Sequence, residues 1–133
     1  MNFSYNWLQS YFKKKLPKLE KLAEFLTMHS FEVEDLKKIG RDFVLDIDVL
    51  PNRGSDCFSH IGIAREIGAV LNYKFQSPNF KLKEDKKLKT RDFISVEVKD
   101  EKACFRYTAR VIAGVKVAPS PKWIQQRIEA LLL

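Results

Sequence analysis

Three segments in the first half of the chain carry apolar residues at intervals of three and four, the spacing that places side chains on one face of a helix. The first segment is short and aromatic and lies near residues 5–13. The second opens at Pro17, because proline is favoured at the first position of a helix, and ends near Ser30. The third spans about residues 56–72. This pattern predicts three helices.

Between the second and third segments, apolar and polar residues alternate as they do in a strand with one buried face. One run begins at Phe31, the other covers residues 42–50, and Gly40 lies in the short turn between them. Two such runs around a glycine predict an antiparallel β-hairpin. Gly62 and Gly68 weaken an exposed helix, so we expect another backbone to pack closely against the third helix at these positions.

The pattern changes after residue 73. Residues 74–92 combine a Ser-Pro-Asn turn with a run of charges, which predicts a connector. Alternation then predicts strands over residues 93–98 and 105–117, and Ser120 followed by Pro121 predicts the start of a fourth helix. A final run of three leucines with no cap indicates a second unit that is cut short.

Together these elements predict an α+β fold in two parts. Residues 1–73 form a small three-helix unit with an antiparallel hairpin, similar to a winged-helix module. Residues 74–92 connect it to residues 93–133, the first strands and helix of a truncated mixed α/β domain. A hydrophobic content of 45% in 133 residues is enough for a folded core.

The net charge of +7 permits contact with RNA, DNA or an acidic partner without requiring one. Residues 13–21 hold five lysines and one acid, and residues 81–92 hold six Lys or Arg against three acids, whereas residues 31–56 are net acidic. We interpret both basic runs as solvated polar faces.

The two cysteines, Cys57 and Cys104, lie far apart and lack metal-ligand spacing, so we expect buried or half-buried thiols rather than a disulfide framework. The N-terminus has Asn6 and Gln9 among its aromatic residues and lysines from residue 13, which matches neither a signal peptide nor a membrane span. These features predict a cytoplasmic protein without membrane contact.

No recognisable catalytic set is present in the sequence. His29 and His60 lie in no motif with a nucleophile, and a phosphate-binding glycine loop, a nucleophile elbow and a His/Cys metal spacing are all missing. Asp46 and Asp48 share a strand face and could bind a divalent ion, but we favour the wet face of a half-buried strand. We therefore predict no catalytic, cofactor-binding or metal-binding residue in this segment.

The most specific polar group is the corner after the second hairpin strand, residues 50–56, which contains Asn52, Arg53 and Asp56. Asn52 can cap the turn, and Ser55 or Asp56 can cap the third helix. Arg53 offers five donors in a rigid fork that could bind a carboxylate or a phosphate. We favour an Arg53 that ties the corner to a neighbouring carboxylate or carbonyl over one that contacts RNA.

Three further arginines are candidates for interface or RNA contacts. Arg106 and Arg110 share one face of a predicted strand, where they could bind an anion or form cross-strand salt bridges, and both interpretations stay open. Arg65, beside Glu66, is expected to pair with a neighbouring unit. The N-terminal aromatic cluster could stack bases, but its helical spacing favours ordinary core.

Four strings of residues, in the right order, resemble the beta subunits of bacterial phenylalanine–tRNA ligases. The central string is the most specific: Pro51-Asn52-Arg53, Asp56-Cys57, Ser59 and Gly62-Ile63-Ala64-Arg65-Glu66. The other strings are Phe3 to Leu8, Leu22 to Met28 with Phe31 to Glu34, and Cys104 to Tyr107 continued by Arg110 to Val117 and Ser120 to Trp123. The resemblance covers almost the whole chain.

The chain also departs from the pattern of that family. Many members insert an OB-fold, tRNA-binding-like domain between the two hairpin strands, where this chain has only Lys38-Ile39-Gly40-Arg41. It therefore resembles the short forms that lack this domain and its tRNA role. Ser30 stands where the family usually has Gly, Leu50 where Thr is common, and Gly54-Ser55 where many members have one residue.

The resemblance implies a structural part of an enzyme. In this family the alpha subunit binds ATP, magnesium and phenylalanine, the two subunits form an α2β2 heterotetramer, and the whole enzyme joins phenylalanine to its tRNA. The resemblance implies that residues 93–133 are the truncated start of the editing domain. The editing pocket and the anticodon contacts of the beta subunit lie outside the matched residues, so the segment is expected to lack cofactors and catalytic residues. The alternative is a free-standing basic nucleic-acid-binding module, which three helices and a hairpin also suit.

Overall fold

The computed structural model describes residues 1–76, 84–85 and 87–132. It contains two compact units, residues 1–79 with 120–133 and residues 80–119, which we call the first unit and the second unit. The domain limits predicted at residues 73 and 92 stay predictions, and the Ser-Pro-Asn turn of the predicted connector lies outside the described residues.

The sheet of the first unit has three antiparallel strands, β1 (Asn2–Ser4), β2 (Val33–Ile39) and β3 (Asp42–Ile47), in the order β1-β3-β2. The predicted hairpin of β2 and β3 is confirmed. Its turn consists of only two residues, Gly40-Arg41, without an inserted domain, and Gly40 has a φ of 57°, which suits glycine. The hairpin and the helices together confirm the α+β class.

Strand β1 was not predicted, because three residues are too few to show alternation. Phe3 pairs with Leu45 at the centre of the sheet, on the side of β3 opposite to β2. The terminal ammonium of Met1 lies 2.7 Å from Asp46 Oδ1 and holds the start of the strand in place. An edge that the hairpin would have left open is thereby covered.

The described residues of the first unit form five α-helices: α1 (Tyr5–Gln9), α2 (Leu19–His29), α3 (Gly54–Cys57), α4 (His60–Val70) and α5 (Lys122–Glu129), with a 3-10 turn at Pro51–Arg53. The predicted first and second helices are confirmed with shorter bounds. Pro17 lies before the N-cap residue Lys18 rather than at the first helical position, so its predicted place is wrong by two residues.

The predicted third helix is broken into α3 and α4. The cap of α4 is Ser59, whose Oγ accepts a hydrogen bond from the Gly62 N–H at 3.1 Å, so the predicted start at Ser55 or Asp56 is wrong. The Asp56 carbonyl lies so close to Gly62 that a Cβ there would collide with it. The expected close backbone approach is thus confirmed at Gly62, and at Gly68 it is less close, because an added Cβ would lie 3.2 Å from the Tyr73 carbonyl oxygen.

The core of the first unit collects the apolar faces of these elements. The N-terminal aromatic cluster belongs to this core, as its helical spacing predicted, because Phe3, Tyr11 and Phe12 are buried. They pack with the buried leucines and isoleucines of the helices and of β3: Leu8, Leu22, Leu26, Leu45, Ile47, Ile63 and Ile67. Burial of each such side chain stabilises the fold by about 1.5–3 kcal/mol.

Helix α5 confirms the predicted fourth helix, but its cap differs. Pro121 occupies the N-cap position without a side-chain hydrogen bond, whereas Ser120 contributes only its backbone carbonyl, to Gln125. The apolar face is half open, with Trp123 59% exposed. Arg127 packs between two aromatic rings, 4.9 Å from Trp7 and 5.3 Å from Trp123.

The second unit corrects the predicted strands. In its described part the only regular element is a 3-10 turn at Thr90–Asp92, so the strands predicted over 93–98 and 105–117 are not formed there. The apolar side chains that would have defined their buried faces are open to solvent, with Phe105 93% exposed and Ile112 81% exposed. Strands need a partner and a covered face to be stable, and these have neither.

Candidate functional site

Arg53, at the end of the 3-10 turn, is the centre of an ion-pair network that we call the Arg53 cluster: Ser30, Arg53, Asp56 and Glu66. Its Nη2 lies 2.8 Å from Asp56 Oδ2 and 2.9 Å from Glu66 Oε2. The guanidinium also faces the ring of Phe31 at 5.0 Å. One arginine therefore ties the corner to α3, to α4 and to the start of the hairpin segment.

Glu66 extends the cluster to the end of α2. Ser30, the C-cap residue of α2, donates a hydrogen bond from its Oγ to Glu66 Oε1 at 2.6 Å. Each carboxylate oxygen of Glu66 thus has its own donor, one from Ser30 and one from Arg53. The first of these bonds depends on Ser30, the position at which the sequence departs from the glycine expected by resemblance.

The cluster is ionised at neutral pH. Hydrogen bonds to Asp56 and then to Glu66 raise the pKa of Arg53, and the bond from Arg53 lowers the pKa of Asp56. For Glu66, burial alone would raise the pKa, but the hydrogen bonds from Arg53 and Ser30 outweigh it and lower the pKa. One guanidinium and two carboxylates leave the cluster with one net negative charge, and each carboxylate is stabilised by its bond to Arg53.

Cys57, next to this cluster, is an inert thiol. It is 1% exposed, as expected for an isolated cysteine in apolar company. Burial, followed by its hydrogen bond to Asp56, raises the pKa of the thiol to about 11, which leaves little thiolate at neutral pH.

The structure brings only part of the predicted candidate set together. Arg53 and Asp56 meet in the cluster, where Asp56 binds Arg53 instead of capping a helix, while Asn52 lies exposed in the 3-10 turn. Arg65 is exposed on α4, with its guanidinium 5.7 Å from the ring centre of Phe75. RNA or interface roles for these side chains stay predictions.

Arg106 and Arg110 lie apart from this cluster in sequence, in the second unit. Both are exposed. The described residues around the two arginines do not form the predicted strand. The arginines therefore do not share a strand face on which an anion site or cross-strand salt bridges could be built. An RNA or interface contact by either arginine stays a prediction.

His60 is a buried polar group that sequence reasoning missed. The backbone N–H of Ser4 donates to its Nε2 at 3.0 Å, and its ring stacks on Trp7 at 4.0 Å. Burial, and then the charge of Arg127, lower the pKa of His60 to about 4, so the ring is neutral and fit to accept this bond. Ser4 is 56 residues from His60 in the sequence, and no local sequence pattern predicts a contact over that separation.

The chemistry available to these groups is positioning rather than bond making. Within residues 1–76, 84–85 and 87–132, no group of three His, Cys, Asp or Glu side chains is placed to hold a metal ion. Asp46, one of the two aspartates weighed for a metal, binds the terminal ammonium of Met1 instead. None of the helices among the described residues has the length and apolar character needed to cross a membrane.

Comparison with known proteins gives consistent relatives, although no protein-family model matches the chain. The chain is 37% identical over 131 residues to the phenylalanine–tRNA ligase beta subunit of Rhodopirellula baltica, which covers 98% of this chain and 19% of that protein. It is 43% identical over 97 residues to the beta subunit from Clostridium acetobutylicum, covering 71% of this chain and 12% of that protein. The chain therefore spans a fifth or less of the length of these curated relatives.

Proposed function

We propose that this chain, which belongs to the family of phenylalanine–tRNA ligase beta subunits, serves as a structural segment of such an enzyme. The whole enzyme would join phenylalanine to its tRNA in the cytoplasm, with ATP and magnesium bound by an alpha subunit in an α2β2 heterotetramer. This segment would hold neither the aminoacylation site nor the editing site.

The observation that carries the proposal is the similarity over 131 of the 133 residues. The Arg53 cluster supports a structural role, because it lies in the most specific motif and its charges are bound to one another. A guanidinium that already holds two carboxylates is better suited to fixing the angle between helices than to binding a substrate.

Exposed apolar residues of the second unit support packing against another polypeptide. Phe105, Ile112 and Val117 are each more than four-fifths exposed, and Tyr107 is 68% exposed. Soluble proteins seldom leave so many large apolar side chains open within a short segment unless another surface covers them. We propose that this surface is covered within the assembled enzyme.

A chimera tests the proposal. The segment of the Rhodopirellula baltica beta subunit that aligns with this chain is replaced by residues 1–133, and the product is expressed with the alpha subunit of the same organism. We expect the chimeric beta subunit to purify together with the alpha subunit and to charge phenylalanine tRNA. The matched control is the same beta subunit with the aligned segment deleted, which should fail to assemble.

Two results contradict the proposal. One is a chimera that is folded by circular dichroism but leaves the alpha subunit unbound in size-exclusion chromatography. The other is a deletion that assembles and charges tRNA as well as the chimera does, since the segment would then be dispensable. A free-standing nucleic-acid-binding module would give the first result.

A further inference from the structure

We propose that a lysine-lined groove of the first unit binds the phosphate backbone of RNA. The lysine groove has a volume of about 550 Å³. It lies where the segment before α2, one face of α2 and the end of α4 meet. Its walls are Lys15, Pro17, Lys18, Lys21, Phe25, Val70, Leu71 and Tyr73.

The described residues that line this groove include three lysines and no carboxylate. Residues 13–21 carry five exposed lysines, Lys13, Lys14, Lys15, Lys18 and Lys21. Among the residues that the structure describes, none of the five forms an ion pair with a carboxylate. Arg53 offers the contrast, because its charge is held by two carboxylates. Ammonium groups without a carboxylate partner can neutralise the phosphates of a nucleic acid, and the counterions released from those phosphates favour binding.

The fold, rather than chance, gathers these lysines on one side. Lys21 and Phe25 are four residues apart and so share one face of α2, and the N-cap residue Lys18 lines the same groove. The buried Leu22 and Leu26 fix which way this face points. Glu20, the one acid of the run, is next to Lys21 on α2, and side chains at that spacing do not face each other on a helix.

Aromatic rings in the groove add a second feature of nucleic-acid sites. Lys14 Nζ lies 4.0 Å from the ring centre of Tyr73, and Lys21 Nζ lies 5.7 Å from that of Phe25. Both rings are half-buried, which leaves part of each available to a ligand. An ammonium beside a ring can bind a phosphate while the ring contacts the sugar or the base of the same nucleotide.

These features favour RNA over an acidic protein surface, because the lysines lie beside aromatic rings that can contact the sugars or bases carried by the same phosphates. The choice of RNA over DNA rests on the proposed function, an enzyme that handles tRNA. Contacts to phosphates do not distinguish one base sequence from another. We therefore expect the groove to bind RNA backbone in general, with an affinity that depends strongly on salt.

The test uses the 133-residue chain, fluorescently labelled tRNA and fluorescence anisotropy from about 50 to about 300 mM KCl, the range over which phosphate contacts weaken most clearly. The variant is Lys15→Ala/Lys18→Ala/Lys21→Ala. The matched control is Lys38→Ala/Lys99→Ala/Lys102→Ala, which removes the same charge from exposed lysines outside the groove. We expect the groove variant to bind about tenfold more weakly, and its salt slope to fall by about two to three, while the control stays near the parent chain.

Equal losses in both variants, or unchanged binding in the groove variant, would overturn the proposal. So would binding of the parent chain to phosphatidylserine vesicles that is as tight as its binding to tRNA and equally dependent on the three groove lysines. The chimera assay gives a separate answer. A groove variant that still assembles with the alpha subunit but loses tRNA affinity supports both proposals, whereas an assembly failure with the RNA result intact contradicts the proposed function alone.

Discussion

Both units of this chain contain large apolar residues, but these are buried in the first unit and exposed in the second. In the first unit, Phe3, Leu45 and Ile63 are at most 1% exposed, whereas in the second unit Phe105 and Ile112 are 93% and 81% exposed. Periodicity specifies which side of an element would be buried, but it does not guarantee a surface that covers it. Burial requires contacts that the sequence pattern of a single element does not contain.

The hydrogen bonds of the two units differ in the same way. In the first unit, Ser4 bonds to His60 and Ser30 bonds to Glu66 across dozens of residues. In the described part of the second unit, typical bonds are local, such as those from Lys102 N and Cys104 N to Asp100. Long-range bonds fix tertiary structure, whereas local bonds only shape turns.

The sharpest way to break this comparison is a pair of side-chain truncations, one in each unit. Leu45→Ala removes a fully buried side chain from the central strand, so we expect a loss of about 2–5 kcal/mol in the free energy of unfolding. Ile112→Ala in the second unit should change it by less than about 0.5 kcal/mol. Urea denaturation followed by circular dichroism measures both. A comparable loss for Ile112→Ala would show that the second unit has a core after all.

Acid should act on the first unit through His60. Its pKa is about 4 in the fold against an ordinary 6.5, so the unfolded chain binds more protons between these values. The stability from the neutral ring is complete above pH 6.5 and falls by about 3 kcal/mol as the pH drops to 4. The test compares unfolding free energies from pH 7 to 4.5 for the parent and His60→Gln. A parent that keeps its full stability over that range would rule out a neutral buried ring.

Glycine substitutions give a third contrast. Gly62→Ala would push a Cβ into the Asp56 carbonyl, and we expect a cost of about 3 kcal/mol in unfolding free energy. Gly114→Ala in the second unit meets open space, so only its φ of 71° opposes the change, at about 1 kcal/mol or less. Thermal melts of the two variants rank them. If Gly114→Ala proved the more damaging, the close approach at Gly62 would be refuted.

The smallest expected effect concerns the cap of α4. Ser59→Ala removes the hydroxyl that accepts from the Gly62 N–H and should cost about 1 kcal/mol. Ser55→Ala, at the position that the sequence pattern favoured as a cap, should be nearly neutral because Ser55 is an exposed residue inside α3. Equal losses from both serines in urea denaturation would argue for one continuous helix.

Local pattern predicted those parts of the fold that depend on local chemistry. The hairpin follows from alternation and Gly40, and the helices follow from apolar spacing. The residues of the corner favour an Arg53 that binds a neighbouring carboxylate or carbonyl, and the structure shows two carboxylates. The identity of Glu66 as its second partner could not be read from spacing alone, since the fold brings together residues 13 apart.

The misses share one cause, which is contact between distant segments. Strand β1 exists only because β3 offers it an edge, and the buried state of His60 exists only because Ser4 and Trp7 reach it. The division between α3 and α4 needed the three-dimensional approach of the Asp56 carbonyl to Gly62. The strands predicted in the second unit show the converse. Apolar and polar residues alternate there as they do in a strand, but the apolar side chains stay exposed.

The tip of the β2–β3 hairpin has a practical consequence for protein engineering. Ile39 and Asp42 are register partners, so the two chain ends at the turn stand roughly 5 Å apart, the spacing of neighbouring strands. Asp42 is also held by hydrogen bonds from Ser4 Oγ and Asn6 N, which anchor the returning strand independently of the turn. A fluorescent reporter or an epitope whose own termini are close together could therefore be spliced between Gly40 and Arg41 while the sheet beneath it keeps its pairing.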